Sequence, residues 1–326
     1  MDIQPLIQNC YDILKGRELS FRDALKLIQT PPPFTMDLYS LANKVREKFS
    51  RGFHVCSILN AKSGKCGEDC FFCAQSSFNK GAIRSYPLMS AQKLVEEAAK
   101  VKSYPAAAFS IVTSGYGYQK RTREFQSLLN SIEKIKNQVK INVHVSIGVL
   151  SEENIRLLKE AGVDRIHHNI ETAPSFFSKI CKTHDIQDRF KTIRNIKKQK
   201  VPVCCGGILG LGENRKQRIE FFYTLKDLDV DSIPINIFQK LEGTRIRTSG
   251  ITVTEILNAV AVCRLINPGK TIIMAAGRET ILKDYQGLIF HAGANGMMTG
   301  GYLTLKGRPV EEDRNLLDSF PRCPPL

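Results

Sequence analysis

Apolar positions along the chain change period near residue 52. Before it the spacing is helical. Ser20 followed by Asp23 reads as an N-cap with an acidic first turn, ahead of Ala24, Leu25, Leu27 and Ile28. Pro31, Pro32 and Pro33 stop that helix, and Thr35 can cap the next, which runs through Leu38, Leu41, Val45 and Phe49. Beyond residue 52, short apolar runs rich in β-branched residues alternate with segments of helical period. The predicted strands cover 55–59, 107–113, 141–147, 165–170, 201–206, 233–238, 271–275 and 296–299. The predicted helices cover 91–100, 124–136, 152–161, 188–200, 215–225, 254–265 and 279–289, the third opened by Ser151 and closed by Gly162.

Continuous apolar strands that alternate with helices argue for parallel pairing with both faces of the sheet covered. About eight strand–helix units predict an α/β fold, a (β/α)8 barrel of TIM type, with functional residues at the C-terminal ends of its strands. The expected organisation is a helical extension over 1–50, the barrel over 51–310 and a tail over 311–326, rich in Pro, Asp and Glu.

Composition narrows the class. The 326 residues are 42% hydrophobic and 24% charged, which is ordinary for a globular protein. No apolar run is long enough for a membrane span, so no membrane association is expected. Residues 1–9 include Asp2, Gln4 and Pro5 and lack the apolar stretch of a secretion signal, so the expected location is cytoplasmic. The 47 Lys and Arg against 32 Asp and Glu give a net charge of +15, which attracts anions. The Lys-rich stretches at 134–136 and 197–200 fall on predicted helices without interleaved aromatics, so no nucleic-acid partner is expected.

The ten cysteines are too scattered for a secreted disulfide framework. Three fall within eight residues, Cys66-Gly67-Glu68-Asp69-Cys70-Phe71-Phe72-Cys73, in a loop just after the first predicted strand. A 4Fe–4S cubane held by three thiolates keeps one iron free. That iron can chelate the amine and carboxylate of S-adenosylmethionine, and one electron then releases a 5′-deoxyadenosyl radical. A structural zinc site usually takes its ligands as two pairs, and no second pair follows here. From Cys66 onward the sequence resembles the radical S-adenosylmethionine superfamily, and that resemblance implies Cys66, Cys70 and Cys73 as catalytic cluster ligands.

Further motifs accompany the triad. Asn60-Ala61-Lys62-Ser63-Gly64 precedes it and Ala74-Gln75-Ser76 follows it. Then come Asn169-Ile170-Glu171-Thr172, a glycine-rich run from Cys205 to Glu213, Ile235-Asn236, Ala276-Gly277-Arg278-Glu279, Ala292-Gly293-Ala294-Asn295 and Tyr302-Leu303-Thr304. In this order they resemble the biotin synthase family over roughly residues 50 to 310.

The resemblance implies radical insertion of sulfur into dethiobiotin, with two S-adenosylmethionine molecules consumed and the sulfur drawn from an auxiliary iron–sulfur cluster. It implies an electron donor such as flavodoxin or ferredoxin, and a homodimer is expected. It assigns Gly206 and Gly207 to the methionine part of the cofactor, Glu171 to its ribose and Arg189 to its carboxylate. Asn169 would touch cofactor and substrate, Asn236 the ureido ring, and Thr304 the substrate. The residues bear physical readings of their own. Glycines at a strand end let backbone approach a ligand, alternate residues Asn169 and Glu171 share a side, and an amide both donates and accepts, as a urea requires. Arg189 read alone would be a helix-surface residue. The adjacent His167 and His168 read as structural, and His184 and His291 carry no assignment.

Some positions depart from the family. Where its aerobic branch holds a 2Fe–2S cluster on three cysteines and an arginine, this chain has Ser110, His144, Cys204 and Ile273. It gains Cys56 and Cys205 nearby, each in place of a serine. The expectation is an auxiliary cluster of 4Fe–4S type, with Cys56, Cys204, Cys205 and His144 as candidate ligands; the alternative is that these cysteines are small core residues. Leu305 stands where a second threonine is common. Rival readings are a relative close to the hydrogenase maturases or methylornithine synthases, or a non-catalytic zinc- or RNA-binding protein.

Overall fold

A computed structural model describes residues 3–64, 66–104, 106–303 and 307–320. Thr304 and Leu305 lie outside them. Eight parallel strands follow one another in chain order: β1 His54–Lys62, β2 Ala108–Thr113, β3 Asn142–Ser146, β4 Arg165–His167, β5 Val203–Cys204, β6 Ser232–Ile237, β7 Thr271–Met274 and β8 Gly296–Met298. Each pairs with the next, and β8 returns to β1 with His54 opposite Gly296, so the sheet closes into a barrel. Closure is what the strand–helix alternation predicts.

Each crossover helix through the sixth starts where a short polar side chain can accept a backbone N–H. Ser90, Thr122, Ser151, Asp185, Asn214 and Thr252 cap the helices Ala91–Lys102, Arg123–Gln138, Glu152–Glu160, Ile186–Lys198, Arg215–Asp227 and Val253–Ile266. Asp185, Asn214 and Thr252 complete reciprocal capping boxes. Helix Val253–Ile266 is buried all round from Ile256 to Ile266, because the N-terminal helices cover its outer side. There Tyr39 Oη donates to Asn258 Oδ1 (3.0 Å), and Asn258 Nδ2 donates to the Thr30 carbonyl (2.9 Å). The extension over 3–49 is thus packed into the fold.

Three predicted elements differ. The fourth strand ends at His167, three residues short of the expected 170, and the backbone turns to φ +67° at Glu171. The expected helix over 279–289 is two short helices, Arg278–Leu282 and Leu288–His291, separated by a 3-10 turn. The stretch expected as a tail carries the helix Val310–Asp318. Its Asp313 is fully buried and accepts two hydrogen bonds of 2.7 Å from the fully buried Arg278. No helix among the described residues is long and apolar enough to cross a membrane.

Candidate active site

The loop after β1 is cross-braced around its thiols. Gln75 Oε1 accepts from Gly64 N (3.0 Å), the Gln75 carbonyl from Cys66 N (3.1 Å), and Ser76 Oγ donates to the Glu68 carbonyl (2.6 Å). Asn79 Nδ2 reaches the carbonyls of Cys70 (3.1 Å) and Cys73 (2.7 Å). These contacts give Ala74-Gln75-Ser76 a physical role: its side chains hold the curvature that a closely spaced triad needs. Two neighbouring loops clamp the outside. Asp69 Oδ1 accepts from Lys182 N (2.8 Å) and Thr183 N (3.0 Å), and the Arg245 guanidinium stacks 4.1 Å from the Phe71 ring.

Cys73 lines a cavity of about 260 Å³ at the C-terminal ends of the strands, where such barrels place their chemistry. Among the described residues, the thiols and imidazoles close enough to share one ion are Cys70, Cys181 and His184, within 4.8 Å of one another. Cys66 and Cys73 fall outside that set. The triad is therefore too spread for a single zinc, and suits a polynuclear centre in which each thiolate takes its own iron. Burial pushes the free Cys73 thiol up to about 11, so only a strongly positive partner such as a metal centre would hold it as thiolate.

Asn169, Glu171 and Asn236 all line the cavity. Asn169 Nδ2 donates to Glu171 Oε2 (3.3 Å), while its Oδ1 accepts from Gly206 N (3.0 Å). Burial raises the Glu171 carboxyl, and Arg189, 3.7 Å away, opposes the shift. Arg189 Nη1 donates to the Asn169 carbonyl (2.7 Å), but its Nε–H is buried without a partner. An orphaned guanidinium donor beside a cavity fits a carboxylate ligand.

Asn236 already uses half its capacity: Nδ2 donates to the Gly207 carbonyl (3.2 Å) and Oδ1 accepts from Ala276 N (3.2 Å). One N–H and one lone pair remain for a ligand. Gly206 and Gly207 have a different physical basis from the one the sequence suggested. A Cβ on Gly206 would lie 1.9 Å from the Pro234 carbonyl oxygen, and one on Gly207 2.3 Å from that of Glu171. Neither glycine is among the cavity-lining residues. Their lack of a side chain lets adjacent strands close up, and so positions Asn169 and Asn236 at the mouth.

Deeper in the barrel lie the positions that depart from the family pattern. Ser110 on β2 stands opposite His144 on β3, His144 opposite Arg165 on β4, and His167 opposite Cys204 on β5. His144 Nδ1 and His167 Nε2 are 3.3 Å apart. Burial holds His144 neutral down to about 3 and pushes His167 well below its usual range, so both offer lone pairs. Cys56 packs with Ile273, Ala275 and Met298 in an apolar cluster separate from the main core. Burial pushes its thiol up to about 12, and a charge on Cys204 would raise it further. Ser110 Oγ is buried with no partner. Cys205 instead belongs to the main apolar core that joins the barrel wall to its helices.

Four residues take places at the site that the sequence did not assign them. His167 was read as structural but lines the cavity beside His144. Tyr302 lines it too, with its hydroxyl bonded to Glu279. Cys181 and His184 stand against the cysteine loop, with the Cys181 sulfur 4.0 Å from Cys70 Sγ and 3.2 Å from His184 Nδ1. Only residue order along two loops far apart in sequence could have hinted at the last pair.

The barrel, its braced three-cysteine loop and the cavity beneath it define a radical S-adenosylmethionine enzyme. Residues 61–225 match the Radical SAM superfamily, and residues 234–320 match the Biotin and Thiamin Synthesis associated domain. The chain is 45% identical over 310 residues to a biotin synthase from Citrifermentans bemidjiense, covering 94% of each chain. It is 41% identical over 325 residues to one from Chlorobium phaeobacteroides, covering 97% of this chain and 96% of the relative. The chain belongs to the biotin synthase family. That membership implies S-adenosylmethionine and iron–sulfur clusters as cofactors. Two solved structures share its fold at low identity. One is a methylornithine synthase with TM-score 0.80 and 18% identity, covering 94% of this chain and 95% of that one. The other is the FeFe-hydrogenase maturase from Carboxydothermus hydrogenoformans, with TM-score 0.79 and 17% identity, covering 97% and 78%. The rival readings thus share the architecture, while the sequence sides with biotin synthase.

Proposed function

We propose that this chain converts dethiobiotin to biotin by radical sulfur insertion. The observation that carries the reading is the stacking of three donor sets along one barrel. The cysteine loop lies at the mouth, Asn169, Glu171 and Asn236 line the cavity with Arg189 behind Glu171, and His167 on the cavity wall leads to His144, Cys204 and Cys56 in the barrel interior. Cofactor, substrate and sulfur source must meet within a few ångströms, and a barrel interior keeps all three from water.

When bound, S-adenosylmethionine on its cluster supplies the 5′-deoxyadenosyl radical, and the auxiliary cluster supplies sulfur. The chain's own residues bind and orient. Arg189 Nε–H takes the cofactor carboxylate, which removes a buried orphan donor. Glu171 accepts the ribose hydroxyls, held in place by Asn169. Asn236 presents its remaining N–H and lone pair to the ureido ring, and its bonds to Gly207 and Ala276 fix the amide's orientation. Tyr302 closes the cavity from the segment after β8, pinned by Glu279. Thr304, assigned to substrate by the family pattern, lies outside the described residues.

The donors in the interior fit a cluster of altered ligation. Ile273 cannot ligate and packs against Cys56. Cys56 and Cys204 offer soft thiolates, and the His144–His167 pair offers neutral imidazoles. Cys205, buried in the main core, is left out of the set. The 4Fe–4S type proposed for the auxiliary cluster rests on the lost 2Fe–2S ligands of the aerobic branch, where Ser110, His144 and Ile273 stand instead. Exposed Phe78, Lys80 and Arg245 beside the cysteine loop offer a face to an acidic donor of flavodoxin or ferredoxin type.

Anaerobic turnover with dethiobiotin and product identification by mass tests the activity. Iron content tests the ligand set. The reconstituted chain is expected to hold about eight irons as two cubanes, and Cys56→Ser with Cys204→Ser to hold about half as many while still cleaving S-adenosylmethionine. A double variant that keeps all its iron, or a Mössbauer signature of 2Fe–2S, refutes the assignment of those cysteines.

A further inference from the structure

The pairing of Cys70 with Cys181 has no part in the mechanism above. Cys181 shares the main apolar core with Cys205 and Cys263, but its sulfur has a different set of neighbours. Cys181 is 2% exposed, yet its sulfur faces a thiol, a carboxylate, an imidazole and a hydroxyl: Cys70 at 4.0 Å, Asp69 Oδ1 at 3.3 Å, His184 Nδ1 at 3.2 Å and Thr183 Oγ1 at 3.7 Å. The backbone around the two cysteines is stitched together. Phe71 N donates to the Ile180 carbonyl (2.9 Å), Asp69 N to Thr183 Oγ1 (3.1 Å), and Lys182 N and Thr183 N to Asp69 Oδ1 (2.8 and 3.0 Å). Cys70 therefore stands opposite Cys181 across two chain segments in hydrogen-bond contact. From 4.0 Å, the sulfurs need to close by only about 2 Å to reach bonding distance.

A mononuclear metal ion on Cys70, Cys181 and His184 is the competing reading of this cluster. It meets an obstacle at His184, whose two ring nitrogens are already engaged: Nδ1 with Glu68 Oε2 at 2.6 Å and Nε2 with Arg189 Nη2 at 3.1 Å. A metal on either nitrogen would break an existing contact. A disulfide breaks neither.

We propose that Cys181 is the resolving thiol for Cys70: when oxygen strips the cluster from the cysteine loop, the two form a disulfide that stores Cys70 in a reducible state. The oxidant is hydrogen peroxide, formed as dioxygen takes two electrons from the iron and sulfide of the cluster it destroys and two protons from water. One thiolate is oxidised to a sulfenic acid with release of one water, and the other sulfur displaces the sulfenic hydroxyl as a second water. Two thiols and one peroxide thus give one disulfide and two waters. In the intact enzyme Cys70 is committed to iron and the pair is silent. With Cys70 in a disulfide, Cys66 and Cys73 alone cannot hold a cubane, so assembly waits on a dithiol reductant. That last consequence rests on the cluster assignment above; the disulfide itself does not.

The test starts from the reconstituted full-length enzyme, bleached in air, alkylated without reductant, digested and analysed by mass spectrometry. The expected product joins the peptides of Cys70 and Cys181, two hydrogens lighter than their sum. Dithiothreitol should separate them and restore iron uptake. Cys181→Ser should leave Cys70 as sulfinic or sulfonic acid, with iron re-uptake after reduction severalfold lower than in the parent. The same digest on cluster-free chain treated with hydrogen peroxide needs no variant and no cluster, so failure of the disulfide is distinguishable from failure of the cluster assignment. Recovery of Cys181 alkylated, with Cys70 over-oxidised or joined to Cys66 or Cys73, overturns the proposal.

Discussion

Asp313→Ala is the sharpest test of how the C-terminal segment is tied to the site. Arg278 and Asp313 are both fully buried, and two hydrogen bonds of 2.7 Å join the guanidinium to the carboxylate. The remaining bonds of Arg278 go to the Met298 carbonyl (3.1 Å) and to Gln286, and the only other carboxylate among its ion pairs, that of Glu279, stands off at 3.8 Å. Removing the Asp313 carboxylate leaves a fully buried cation without its close charge partner. Breaking one side of such a pair costs about 3–5 kcal/mol, or roughly two to nearly four decades in the folding equilibrium. Replacing both partners by apolar residues of similar volume, Arg278→Met with Asp313→Leu, should be near neutral, because the desolvation cost of the pair disappears with it. Urea unfolding of the anaerobically purified variants, followed by far-ultraviolet circular dichroism, reads both numbers. A loss below about 1 kcal/mol in Asp313→Ala would refute the argument, as would a double variant as unstable as the single.

Four further outcomes follow from the geometry. Cys70→Ala should abolish reductive cleavage of S-adenosylmethionine, measured as 5′-deoxyadenosine release; a near-parental rate would remove the cysteine triad from the chemistry. Asn236→Ala should weaken dethiobiotin binding by about 1–3 kcal/mol in calorimetry and leave substrate-free cofactor cleavage unchanged, since the ureido group loses its amide partner. Glu171 adopts φ +67°, so Glu171→Gly should be about 1 kcal/mol more stable than Glu171→Ala while both lose cofactor affinity; equal stabilities would mean the backbone there is unstrained. Burial holds His168 neutral down to about 3, against 6.5 for an unburied histidine. Above 6.5 neither folded nor unfolded chain takes that proton, and below it only the unfolded chain does. Between 6.5 and about 3 this group should therefore cost up to about 1.4 kcal/mol for each unit that pH falls, and His168→Gln should lower the slope by that share in urea titrations of the cluster-free chain, leaving the shares of buried His144 and His167.

Much of this was readable in one dimension. The alternation of apolar runs and capped helices specified a closed parallel barrel, because each strand must bury both faces and each helix needs a cap to begin. The spacing of Cys66, Cys70 and Cys73 pointed to the superfamily that residues 61–225 match, because three thiolates in one loop need no tertiary contact to be recognised as a set. The order of the remaining motifs was enough to point to the biotin synthase family. Other features depend on packing between segments far apart in the chain, which periodicity does not record. The stretch over 311–326 looked like a tail because its charged residues suggest solvent, yet Asp313 is buried against an arginine 35 residues away. Gly206 and Gly207 looked like a ligand cradle, but neighbouring carbonyls leave no room for a Cβ. Cys204 and Cys205 were indistinguishable as neighbours, and only the barrel wall separates an interior cysteine from a core one. His167 gains its place from His144 on the next strand, and Cys181 from a cysteine 111 residues earlier. Local periodicity and spacing are carried by the chain itself, whereas which buried groups face one another is decided by strand register and loop docking, and those exist only once the barrel has closed.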